Sequence, residues 1–108
     1  MLEEIIELRD SIKNICMRYI VMNKSSLMKQ AKDILPAVQK FAVWFIGAED
    51  IGVEKEIKQQ MNAEVLSMLE DINESLKNDD STLMLDALYF GIYEYLKLFA
   101  PEEETENE

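Results

Sequence analysis

Apolar residues recur along this chain at alternating steps of three and four, in four stretches separated by short polar breaks. In the first stretch Ile5, Leu8, Ile12, Ile15, Tyr19 and Met22 form a seam, with Glu7, Arg9, Asp10, Lys13 and Arg18 between them. This is the spacing of a helix that buries one stripe in a bundle. Glu3, Glu4 and Glu7 crowd its first turns, where the positive end of the helix dipole favours carboxylates. Residues 23–26 break the pattern, and Ser25 or Ser26 is the expected N-cap of the second helix.

The second stretch repeats the seam with Leu27, Ala31, Ile34, Val38, Phe41 and Phe45, widened by Met28, Leu35 and Ala42. Pro36 lies inside it. A proline in a helix interior removes a donor and crowds the preceding turn, at a cost of about 3 kcal/mol. Either the helix kinks there or two shorter helices meet, and the unbroken phase of the seam favours the kink. Residues 42–46 are apolar on every side, so Val43 and Trp44 are expected to meet something beyond the seam's own partner. Gly47 fits the left-handed residue that commonly closes a helix.

The third stretch runs over residues 53–77. Its stripe is Ile57, Met61, Val65, Met68, Leu69, Ile72 and Leu76, against a polar face of Glu56, Lys58, Gln59, Gln60, Glu70 and Glu74. Asn78-Asp79-Asp80 is a turn cluster, with Asp80 the first choice of N-cap for the fourth stretch and Asp79 the next. That fourth stretch, residues 81–99, is apolar nearly all round: within 83–99 only Asp86, Gly91, Glu94 and Lys97 are neither apolar nor aromatic. Pro101 ends it.

Four stretches of similar length joined by short breaks predict an all-α, antiparallel, up-down-up-down four-helix bundle over residues 1–100. A disordered acidic tail is expected over 101–108, and no β-hairpin signal is present. A chain of 108 residues has little volume to bury a whole helix at its centre. Part of the fourth helix is therefore expected to face another chain, as a homodimer through that helix or as a surface for a protein or amphipathic-helix partner. The residues expected to carry that contact are Trp44, Tyr89, Phe90, Tyr93 and Phe99. The aromatic rings surround the helix, so core and interface both remain open for them. Tyr and Trp suit an interface because they join an apolar body to a polar tip. Gly91 costs roughly 1 kcal/mol in mid-helix relative to Ala, which makes sense where another helix approaches closely.

Composition removes much of the remaining chemistry. The chain has 11 Lys+Arg against 22 Asp+Glu, a net charge of −11, no His and one Cys. The acid excess disfavours nucleic-acid phosphates and anionic membranes as partners. The absence of His removes imidazole ligands and His-dependent nucleophiles. Cys16 cannot pair within the chain and reads as a partly buried, inert thiol beside the seam, consistent with a cytoplasmic protein. No signal peptide or membrane span is visible. No cofactor is implied. Carboxylates are the one abundant catalytic group. Glu4 and Glu7 on one helix, with Glu70, Asp71 and Glu74 on another, could hold Mg²⁺ as helical nucleotide hydrolases do. Twenty-two acids on amphipathic helices yield such pairs by chance, and arginines for a triphosphate are limited to Arg9 and Arg18. The expected function is accordingly a non-enzymatic protein–protein interaction module (adaptor, chaperone or assembly factor), with a Mg²⁺-dependent hydrolase as the alternative.

Residues 69–99, with the Asn78-Asp79-Asp80 turn and the run Leu83-Met84-Leu85-Asp86-Ala87-Leu88-Tyr89, resemble the final helical hairpin of small helical proteins of Gram-positive bacteria. That family carries no assigned activity, so the resemblance implies a helical hairpin and nothing catalytic. Size, acidity and helical pattern are also similar, at the level of fold, to flagellar export chaperones. Asp80-Ser81-Thr82-Leu83 is similar to the Asp-Ser-Leu around the modified serine of acyl carrier proteins, but Thr82 interrupts it and too few residues follow for that fold. A helix cap needs the same residues.

Overall fold

The structure, a computed structural model, describes residues 1–22 and 26–102. Four helices and no strand are present among them, giving an all-α bundle. Helix α1 is Leu2–Met22, α2 is Leu27–Gly47 and α3 is Lys55–Asn78. Helix α4 is continuous through three parts: Ser81–Ala87, five residues of π-helix at Leu88–Ile92, and Tyr93–Phe99.

The seams predicted from spacing form the core. Ile5, Leu8 and Ile12 of α1 meet Leu27, Ala31, Val38, Phe41 and Phe45 of α2, Val65 and Ile72 of α3, and most of α4. Residue pairs fix how α4 lies. It runs antiparallel to α3, because Ser75 approaches Met84, Met68 approaches Gly91, and Glu64 approaches Tyr95. It runs antiparallel to α1, because Arg9 meets Ala100 while Met17 meets Tyr89. α4 thus lies between α1 and α3.

α2 is one helix through Pro36, not two, which is the alternative that the unbroken phase of its seam favours. Pro36 and Lys32 are both exposed, so the carbonyl deprived of its donor is on the wet side. Other local expectations change. Ser26 occupies the N-cap position of α2 but its hydroxyl makes no capping bond, and Ser25 lies outside the described residues. Gly47 is the last residue of α2 and is not left-handed; α2 closes through an extended Ala48. The positive φ falls instead on Gly52, at 86°, where its N–H donates to the Asp50 carboxylate at 3.1 Å. At the next turn the two aspartates divide the work. Asp79 is left-handed (φ 53°) and ends α3, while Asp80 caps α4 by accepting from the Leu83 N–H at 3.0 Å.

The stripe of α3 starts one residue later than its apolar spacing implies. Ile57 is 45% exposed and Lys58 is buried. The Lys58 ammonium donates to the Phe45 carbonyl at 2.8 Å and to Asn62 Oδ1 at 2.7 Å, and stands 4.5 Å from the Phe45 ring centre. A cation suits this place because the last carbonyls of α2 carry the negative end of its dipole. Burial pushes the lysine's pKa down, opposed by nearby Glu49.

Candidate interaction surface

The fourth helix is far more buried than its all-round apolar character implied. Met84, Ala87, Leu88, Gly91, Ile92, Tyr93, Tyr95 and Leu96 are all buried within the chain. The expectation that a chain of this length could not enclose such a helix is corrected. α1, α2 and α3 together cover most of its circumference, and the apolar residues on its other flanks are satisfied by them.

Of the five residues expected at an interface, four are engaged inside the molecule. Tyr93 is 2% exposed and belongs to the core, which overturns its assignment to an open surface. Its hydroxyl donates to Glu102, and its ring stacks on Tyr89 with centroids 5.1 Å apart. Burial, then the hydrogen bond to the Glu102 carboxylate and its negative charge, pushes the hydroxyl's pKa up. Trp44 and Phe99 are half-buried and pack edge-to-face at 5.1 Å, within a cluster that includes Phe41 and Phe45. The something that Trp44 was expected to meet is therefore Phe99 of the same chain. Val43 meets solvent, at 74% exposure.

Tyr89 is half-buried, its hydroxyl 3.6 Å from Met17 Sδ on α1. Phe90 alone of the five is open, at 61% exposure. It stands on an exposed line of α4 that repeats every four residues: Asp86, Phe90, Glu94 and Leu98. In a regular helix a step of four drifts by about 40° each time. The wider turns of the π segment take back part of that drift, so the line stays straight. π turns of this kind are frequent at functional sites. Leu98, at 57% exposure, belongs to this surface and was not among the expected contact residues. The four-residue step was visible in the sequence, but the apolar background on both sides hid it.

The line overlooks a groove between α4 and α3. Gly91 allows the two helices to close at its floor: a Cβ there would stand 3.0 Å from Met68 Sδ. The close helix expected at Gly91 is α3. Two hollows follow the groove. One, about 260 Å³, lies between Met61, Tyr95 and Leu98, with Glu94 at its edge. The other, about 270 Å³, lies between Met68, Gly91 and Phe90, edged by Glu64, Asp71 and Asp86. Neither is lined by a lysine or arginine. Glu94 is paired with Lys97 at 2.9 Å, and Glu64 accepts from the Tyr95 hydroxyl.

On the opposite side of α4 the chain closes over α1. Arg9 donates to the Ala100 carbonyl at 2.6 Å and to the Pro101 carbonyl at 3.2 Å, and Lys13 pairs with Glu102. Pro101 and Glu102, expected to begin a free tail, are thus tied to the bundle; residues 103–108 lie outside the described residues. Hydrogen bonds from Lys13 and then Tyr93 hold the Glu102 carboxyl below its usual pKa.

The other chemical candidates contribute little. Cys16 is on the seam, not beside it, and is wholly buried; desolvation pushes its pKa up to about 12, which keeps it a thiol. Glu4 is occupied by Lys40, and among the described residues no three Asp, Glu or Cys side chains gather where they could hold a metal ion. The acids considered for Mg²⁺ lie on α1 and α3, the two helices that α4 separates. Among the described residues no helix is long and apolar enough to cross a membrane. Comparison with protein-family models, with curated proteins and with solved structures finds no match.

Proposed function

We propose that this chain is a non-catalytic protein–protein interaction module, an adaptor, chaperone or assembly factor, that engages its partner along α4. The observation that carries this reading is the exposed Asp86-Phe90-Glu94-Leu98 line above an apolar-floored groove, in a helix whose other residues from 83 to 99 are buried or half-buried. A large ring and a Leu side chain left in water beside a groove are the anchors that a partner helix fills. The buried thiol of Cys16 and the absence of any described disulfide accord with work in the cytoplasm. The weak likeness of residues 69–99 to Gram-positive helical hairpins accords with a bacterial source.

Photo-crosslinking tests the reading in the cells that make the protein. Benzoylphenylalanine introduced at Phe90 or at Leu98 should yield a discrete adduct. The same residue introduced at Val43, which is more exposed but lies on α2, should not. Blank lanes at both α4 positions, or equal adducts at Val43, would sink the reading. A homodimer through the last helix would appear in this experiment as an adduct of twice the chain's mass.

A further inference from the structure

We infer that the occupant of the α3–α4 groove is a cationic amphipathic helix of another protein, not a second copy of this chain. The inference rests on the interaction reading above and goes further by assigning the partner's chemistry.

Apolar and acidic side chains alternate along both walls. On α4 the exposed line is Asp86, Phe90, Glu94, Leu98; on α3 the facing residues are Met61, Glu64, Met68 and Asp71. Met and Phe supply an adaptable floor for apolar anchors spaced at three and four residues. The groove spans thirteen residues of α4, from 86 to 98, which at 1.5 Å per step is about 18 Å or a little over three helical turns. A helix laid there places its flanks beside carboxylates, with Lys97 at Glu94 as the one base paired to the rim.

Charge decides between the two occupants. A two-fold homodimer uses the same patch on both subunits. Its groove linings hold acids and no base, so Asp86, Glu94 and the α3 acids would meet acids of the second copy when the helices run parallel, or be buried against its Phe90 and Leu98 when they run antiparallel. Like charges juxtaposed at an interface, or carboxylates buried there against apolar side chains, oppose association. A basic helix turns the same acids into attraction, and the net charge of −11 adds long-range steering.

Fluorescence anisotropy with defined peptides tests this. The probe is a labelled helical peptide of about 15 residues with Leu on one face and Lys elsewhere. Its comparator carries Gln in place of every Lys. At about 0.05 M NaCl the Lys peptide should bind at least about tenfold more tightly than the Gln peptide. The double variant Asp71→Lys/Asp86→Lys should weaken the Lys peptide by about tenfold or more. Asp33→Lys/Glu56→Lys makes the same charge change on exposed positions outside the groove. It should weaken binding by less than about threefold. Phe90→Ala should cost about fivefold, with circular dichroism unchanged in all variants.

Equal losses in the two double variants would overturn the inference, since the attraction would then be diffuse. So would self-association of the free protein that Phe90→Ala abolishes, which would give the groove to a second copy. Equal binding of the Gln and Lys peptides, both sensitive to Phe90→Ala, would overturn the assignment of charge while leaving the interaction module standing. Crosslinking that finds no partner at Phe90 or Leu98 would remove the module itself.

Discussion

The two flanks of α4 are built from similar residues and end differently. Toward α1, the Tyr89 and Tyr93 rings stack, Arg9 holds the last carbonyls, and Glu102 joins Lys13 to the Tyr93 hydroxyl. Toward α3, Phe90 and Leu98 stand in water above two methionines, with acids at the rim. Both flanks are apolar and aromatic in sequence. The difference is whether polar groups are supplied that close over the rings. On the α1 side they come from the chain itself. On the α3 side the acids face outward, and the complement they call for is a set of cations that the groove does not contain.

The largest test of this contrast removes a side chain from the closed part of α4. Ile92→Ala deletes a fully buried residue and should destabilise the fold by about 2–5 kcal/mol in urea unfolding. A loss below about 1 kcal/mol would mean that α4 is not packed as described, and the division into closed and open flanks would lose its basis.

Next in size is the clasp over α1. Arg9→Ala strips a guanidinium from the Ala100 and Pro101 carbonyls, bonds to a charged donor worth about 1.5–3 kcal/mol. The expected loss of stability is toward the lower end, because the Pro101 bond is exposed. Hydrogen exchange should rise at the end of α4 and leave the Met68–Gly91 region unchanged. Loosening on both flanks would show that they are one unit.

A smaller effect reports on the same clasp through pH. Glu102 has a folded pKa below its ordinary 4.5. Its contribution is therefore present above that pH and lost as pH falls through the folded value. Tyr93 has a folded pKa above its ordinary 10.0. Its contribution is present below pH 10 and lost as pH rises through the folded value. Tyr93→Phe removes the bond they share, so urea midpoints measured across pH should fall less steeply on both the acid and the alkaline side. Unchanged slopes would show that Glu102 is not held at Tyr93 in solution.

Apolar spacing made the bundle legible, because the steps of three and four in α1 and α2 are the same steps that bury Ile5, Leu8, Ile12, Val38 and Phe41. Asp80 was legible because a cap needs a short acceptor at that one position. Lys58 was not, since its place in the core depends on a carbonyl thirteen residues earlier, and a charged residue counts as polar in any reading of spacing. Gly47 misled for a related reason: a glycine can close a helix, but an extended residue after it does so equally well. The site was half legible. Phe90 and the special position of Gly91 follow from sequence, whereas Tyr93, Trp44 and Phe99 share the same composition and find their partners indoors. Which ring is left over is decided by how α1 and α3 divide the circumference of α4, and no local pattern carries that.

The smallest expected effect on stability is the sharpest on the comparison. Phe90 is 61% exposed and Leu98 57% exposed, so truncating either removes little buried area. Surface substitutions of this kind stay within about 0.5 kcal/mol. Phe90→Ala also replaces an aromatic residue by the best helix former, a gain of up to about 0.5 kcal/mol where the backbone is regular. The two terms oppose each other, so the urea midpoint of Phe90→Ala should match that of the parent chain, and Leu98→Ala should do the same. A loss of about 2 kcal/mol or more at Phe90 would mean that the ring is covered in solution. If that loss also shrinks on dilution, the cover is a second copy. A midpoint that holds at every protein concentration leaves the ring free for a different partner, and the acids around it then set the charge that partner must carry.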